Sequence, residues 1–237
     1  MFQRVNEEFN SFISAISFLT IIRLPLTAFN PAGATAYFPL AGVIIGLTLY
    51  LISFINSPIT PLLLIICLAV ITGALHLDGI ADTSDAIFSH RSLNEKLTIM
   101  KDSHIGTMGV VALIIVILAK FISFQNINEP LYYIFIPAYS RFSMTASIYI
   151  LPYIRENSPN KQFFGKKTHY MFFAGILIIV LSIIVNVNYT YLLLVWIITT
   201  YLLVIYFKKE FKGLTGDILG FICEITETVL FITTTFL

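Results

Sequence analysis

Asp78, Asp82 and Asp85 follow His76 at the end of a long apolar run, spaced i, i+4 and i+7. On a helix that spacing brings all three carboxylates to one face. Like charges so placed repel one another, weakly in water and more strongly where water is excluded. A divalent cation removes that repulsion. Magnesium suits such a site because it takes oxygen ligands, keeps waters, and binds through one or two carboxylates together with substrate phosphates. Gly79 leaves room for a phosphate or a backbone beside Asp78. A solvated acidic helix start, favoured by the helix macrodipole, is the plainer alternative.

Two further stretches carry chemistry of the same kind. The run Lys101-Asp102-Ser103-His104-Ile105-Gly106-Thr107-Met108-Gly109 is a polar entry to another apolar segment. Its free N–H groups, at Gly106 and beyond, form a ready anion site, and Lys101 stands where a phosphate would meet it. Simple helix capping explains the same residue types. Gly213-Leu214-Thr215-Gly216-Asp217 opens the last apolar segment, with Glu224 seven residues on from Asp217 and Glu227 three beyond that. Arg141 stands near the middle of a separate apolar run. Charges at that depth are costly and should face the interior of a bundle. They read either as an ion pair of Arg141 with Glu224 or Glu227, or as a phosphate clamp (Arg141) and further metal ligands (Asp217, Glu224).

These residues must be positioned by membrane helices. Apolar residues make up 57% of the 237, charged residues only 11%, and the mean hydropathy is +0.88, which lies outside the range of soluble domains. The expected fold is all-α, a polytopic integral membrane bundle of about seven spans. They fall near 37–55, 61–76, 105–124, 131–151, 170–187, 189–207 and 218–236, each close to the ~20 residues a bilayer demands. Residues 11–22 read as an interfacial or half-inserted amphipathic helix, since Ser and Thr interrupt them and Arg23 and Pro25 close them. No signal peptide, internal repeat or linker is evident, so residues 1–237 read as a single domain. Cys67 and Cys223 fall in apolar segments and read as packing residues. Lys120 is expected to snorkel to the outer interface, and His90 and His169 to be solvated.

The basic residues fix an orientation. Arg4 and Arg23 precede the first span; Arg91, Lys96 and Lys101 follow the second; Arg155, Lys161, Lys166 and Lys167 follow the fourth; Lys208, Lys209 and Lys212 follow the sixth. The alternate loops, around Asn56, Asn126 and Asn188, hold no Lys or Arg. By the positive-inside rule the N-terminus and all three acidic stretches are cytoplasmic. The expected location is therefore the cell membrane (the inner membrane of a cell that has two), with the lipid bilayer as a partner. Nothing points to nucleic acid, and the oligomeric state is left open, a homo-oligomer included.

The run from Leu75 to Asp85, followed by Ile99 to Gly109, resembles the cobalamin synthase family, the adenosylcobinamide-GDP ribazoletransferases. Phe18 to Pro25, Phe38 to Gly42, Ser140 to Met144 with Leu151-Pro152-Tyr153, and Gly213 to Asp217 with Glu224 are similar to other parts of that family. The resemblance implies a magnesium-dependent enzyme late in cobalamin assembly. Its small-molecule substrates would be adenosylcobinamide-GDP and α-ribazole (or its 5′-phosphate), with GMP released. Within that reaction, their spacing makes Asp78 and Asp82 the expected metal ligands and Asp85 a ligand or the base. Lys101 and Arg141 would hold phosphate, and His76 would orient an aspartate or assist proton transfer. CDP-alcohol phosphotransferases share the acidic theme, but their Arg after the second acid and their later Gly with two Asp are missing here. An ion-coupled transporter is the rival of a different class, motivated by Arg141, Glu224 and Glu227 at membrane depth.

Overall fold

A computed structural model describes residues 2–25, 29–155, 159–164, 172–185 and 188–237. Lys166, Lys167 and His169 lie outside them. Among the described residues every regular element is a helix. The main ones are α1 (Phe2–Leu19), α2 (Pro31–Ala34), α3 (Phe38–Ser53), α4 (Thr60–Thr72), α5 (Leu75–Phe88), α6 (Leu93–Ile99), α7 (Thr107–Gln125), α8 (Tyr132–Ile150), α9 (Phe173–Val185), α10 (Tyr189–Glu210) and α11 (Gly216–Thr234).

The expected spans overlap α3, α4 with the start of α5, α7, α8, α9, α10 and α11; residues 170–171 and 186–187 of the fifth lie outside the described residues. Among the described residues, three segments are long and apolar enough to cross a membrane alone: Pro31–Ser53, α7 and α10. The α4–α5 pair passes the same test jointly but is bent by 89°. α9 is apolar but short, and α8 and α11 are 19 residues each with charges in their interiors. Ile114, Ile115 and Leu118 of α7 and Leu194, Ile198 and Leu202 of α10 are exposed. Apolar side chains exposed in such numbers belong against lipid.

Two expectations on boundaries are corrected. The second span does not run on to His76. Gly73 (φ 59°) and Ala74 (φ 56°) are both left-handed, and the Ala74 N–H donates back to the Ala69 carbonyl at 2.8 Å. That closure ends α4 and starts α5 in a new direction, which glycine permits most readily. The N-terminal helix begins at Phe2 rather than near residue 11. Its first turns expose Val5 and Phe9, while Ala15 and Leu19 are fully buried.

Small residues set the closest helix contacts. Gly42 and Gly46 of α3 lie directly on the backbone of α8, at Pro137–Ala138 and Tyr133–Ile134, the close approach that membrane helices use in place of a hydrophobic drive. Gly79 of α5 performs the same service against α11. A Cβ there would stand 2.6 Å from the Asp217 carbonyl oxygen and 3.1 Å from the Gly220 Cα. Gly79→Val is therefore expected to destabilise the protein by about 1–3 kcal/mol through overpacking. The check is a lowered thermal midpoint in detergent; an unchanged midpoint would deny the contact.

Candidate active site

The loops at one end of the bundle are joined to one another. Leu214 N–H donates to the Pro152 carbonyl at 2.8 Å, and Ile154 N–H to the Leu214 carbonyl at 3.0 Å. This bridge fixes the chain after α8 against the entry to α11. It delivers Arg155 to Asp217, where the guanidinium Nη1 meets Oδ2 at 2.8 Å. Arg155 also donates from Nη2 to the Met100 carbonyl at 3.4 Å, which ties in the turn carrying Lys101. Thr215 caps α11, accepting from the Ile218 N–H at 3.1 Å, so Asp217 sits in its first turn, where an acid is favoured.

Asp78 and Asp217 line one cavity, and Asp82 lies within the fields of Asp78, Asp217 and Asp85, with Arg155 opposing them. The expected clustering of acids thus includes Asp78, Asp82 and Asp217, contributed by two helices. Among the described residues, no three His, Cys, Asp or Glu side chains converge tightly enough to hold a metal ion by themselves. The donor set still fits magnesium, which commonly takes only one or two carboxylates from the protein and completes its shell with waters and substrate phosphates.

Asp85 has a different task. Its Oδ2 accepts from the Gly106 N–H at 2.6 Å and its Oδ1 from the Gly109 N–H at 2.8 Å. Both carboxylate oxygens are spent on the N-terminus of α7. The anion expected at that helix start is the protein's own. This corrects the assignment of Gly106 to a substrate phosphate and leaves Asp85 a positioning residue between α5 and α7. Gly79, likewise, is filled by α11 rather than by phosphate. Lys101 is exposed on the turn after α6. In that turn the His104 ring and backbone N–H hold the Asp102 carboxyl below its usual range.

Arg141 is not a phosphate clamp. It is wholly buried and bonded to Glu227, to Ser140 Oγ at 2.9 Å and to His76 Nδ1 at 3.3 Å. Glu227 also accepts from Lys120 Nζ at 2.7 Å and from Ser140 Oγ at 3.1 Å, and Lys120 pairs with Glu224 as well. Two cations therefore face two anions inside the bundle. Glu224 is consumed in this network, which corrects its assignment as a metal ligand. Lys120 is buried within it, which corrects the expected snorkelling. Low dielectric makes each member costly unless paired, and here all four are.

His76 joins that network to the cavity. A guanidinium can only donate, so Nδ1 of His76 accepts from Arg141 and the ring proton resides on Nε2. His76 is 2% exposed and lines the same cavity as Asp78 and Asp217, and its Nε2 has no partner among the described residues. Arg155 was legible in sequence only as a topology charge. Its position just past Leu151-Pro152-Tyr153, where α8 must stop, was the available signal.

Residues 11–235 match the family described as cobalamin-5-phosphate synthase. The chain is similar to an adenosylcobinamide-GDP ribazoletransferase of Clostridioides difficile strain 630, at 34% identity over 93% of this chain and 95% of that protein. Proteins of the same description from Fusobacterium nucleatum (33%, covering 92% and 94%) and Alkaliphilus metalliredigens (31%, covering 94% and 94%) are similar over comparable lengths. No solved structure matches it.

Proposed function

Because the chain belongs to the cobalamin-5-phosphate synthase family, we propose that it is a membrane transferase that joins adenosylcobinamide-GDP to α-ribazole, or to α-ribazole 5′-phosphate, and releases GMP. The observation that carries this reading is that His76, Asp78 and Asp217 line one cavity, with Arg155 paired to Asp217 and Asp82 within the fields of Asp78 and Asp217. The names of the relatives favour a transferase over a transporter.

A ribose hydroxyl of the acceptor attacks the phosphorus that bears the cobinamide. The bridging P–O bond breaks, GMP leaves with its electron pair, and the hydroxyl proton is lost. Asp78 and Asp217 would hold magnesium from two helices; when bound, the ion supplies positive charge against the pyrophosphate. Asp85 is committed to α7, so Asp82 is the carboxylate that takes the hydroxyl proton. Arg155, paired with Asp217 and carrying an Nε without a partner among the described residues, binds phosphate oxygens in the role first expected of Arg141. Lys101, on the turn that Arg155 reaches, adds a second cation there.

The site opens to the cytoplasm in this reading, with the N-terminus on the same side. Asn126 is exposed at the opposite end. Asn126→Cys, in a chain with Cys67 and Cys223 replaced by Ala, should therefore react with an impermeant thiol reagent in intact cells. Reaction only after the membrane is opened would reverse the orientation. For the activity itself, a bacterium that lacks its own transferase and is supplied with cobinamide should regain cobalamin-dependent growth when it carries this chain. Absence of growth with the protein present in the membrane would count against the assignment.

A further inference from the structure

A cavity that opens to solvent lies beneath the acidic cluster. Its inner walls are apolar and aromatic: Phe18 of α1, Met144 of α8, Leu219 of α11, and Phe163 and Phe164 from the turn at Pro159–Phe164. The Phe18 and Phe163 ring centroids lie 4.2 Å apart, and the Phe164 ring lies tilted with its centroid 4.5 Å from that of Tyr153. Within these walls one polar group lacks a partner among the described residues, the Nε2–H of His76. Arg141 fixes that group as a donor and Glu227 fixes Arg141. The cavity mouth is marked by Asp78 and Asp217.

We infer that this cavity binds the aromatic base of the acceptor nucleoside, a bicyclic ring with few polar atoms whose one exposed imine nitrogen accepts from His76 Nε2–H. The inference rests on the transferase reading and assigns the halves of its chemistry to places. Aromatic walls suit a flat heterocycle. A single buried donor demands a single acceptor and rejects rings that bring further unpaired polar atoms. Guanine carries several such atoms, so the nucleotide of the leaving group lies outside this cavity, towards Arg155 and Lys101. The benzimidazole of α-ribazole has one free imine nitrogen and otherwise apolar edges. With its base held below the acids, the ribose reaches the mouth, where Asp82 can accept the hydroxyl proton. His76 is thus a specificity group for the base rather than an acid or base in the transfer.

The test uses the full-length protein in detergent with two probes, N-methylated dimethylbenzimidazole and N-methylated dimethylindole, which differ in that imine nitrogen. Calorimetry on the wild type should show the benzimidazole binding about tenfold more tightly, the worth of one buried hydrogen bond. His76→Phe should bring the two to within about twofold of each other. Met144→Trp, which fills the cavity, should raise the KM for α-ribazole about tenfold or more while changing that for adenosylcobinamide-GDP less than about twofold. Equal binding of the two probes by the wild type, or a Met144→Trp variant that folds with an unchanged KM for α-ribazole, would overturn the inference. Should His76→Phe or Met144→Trp fail to fold, the comparison of probes on the wild type still decides. Loss of the transferase reading would look different: selective binding of the benzimidazole with no turnover of the two substrates.

Discussion

Asp82→Asn is expected to lower kcat by about 10²–10⁴-fold, the usual contribution of a positioned proton acceptor. The same change should leave the thermal midpoint unchanged or raise it. Asp82 lies among Asp78, Asp217 and Asp85, with Arg155 opposing them. Removing its charge relieves repulsion that the fold otherwise bears without substrate. Lost turnover beside preserved or improved stability is the signature of a group kept for chemistry. Asp85→Asn should behave differently, because Asp85 holds Gly106 and Gly109 at the start of α7 and its loss loosens that junction. Activity assays paired with melting curves in detergent separate the two. An Asp82→Asn enzyme with normal kcat would remove that residue from the mechanism.

Glu227→Ala is expected to be the most damaging single change to the fold, costing about 3–5 kcal/mol because it strands buried charge. Glu227 is fully buried and accepts from Lys120, Arg141 and Ser140 together. Without it, Arg141 keeps the Pro137 carbonyl, Ser140 and His76 among the described residues, none of which is an anion. Replacing both partners by apolar residues, as in Arg141→Met with Glu227→Met, should recover much of the loss, since Lys120 and Glu224 still pair. That double variant should remain poor in catalysis, because nothing then fixes the His76 proton on Nε2. Melting temperatures for the single and double variants, with KM for the acceptor measured on the double, test both halves. A single Glu227→Ala variant as stable as the wild type would show that the network carries no stability.

The expected spans were legible because each is an apolar run closed by charges or by Asn, Pro and Gly. The acidic stretch was legible because Asp78, Asp82 and Asp85 are costly beside lipid and fall on one helix. What spacing alone could not give was which of them face the same space. A helix face is about 100° wide, and the left-handed pair Gly73–Ala74 sets how α5 is turned, so Asp85 came to rest on α7 while Asp78 and Asp82 came to rest near Asp217. The buried charges were harder still. Lys120 sits well along α7 among apolar residues, and a lysine there reads as snorkelling unless the partner helix is known. Its partners, Glu224 and Glu227, are about a hundred residues further along the chain. Arg155 was hidden for the opposite reason. It stands in a basic loop, where positive charge is expected for topology and attracts no further question.

The most direct measurement takes the purified chain in lipid nanodiscs with adenosylcobinamide-GDP, α-ribazole and Mg²⁺, and follows corrinoid and nucleotide products together. The expected result is a corrinoid carrying the ribazole, formed one-to-one with GMP, and halted by a chelator. Folded protein that forms no such corrinoid, or that releases GMP without it, would contradict the assignment.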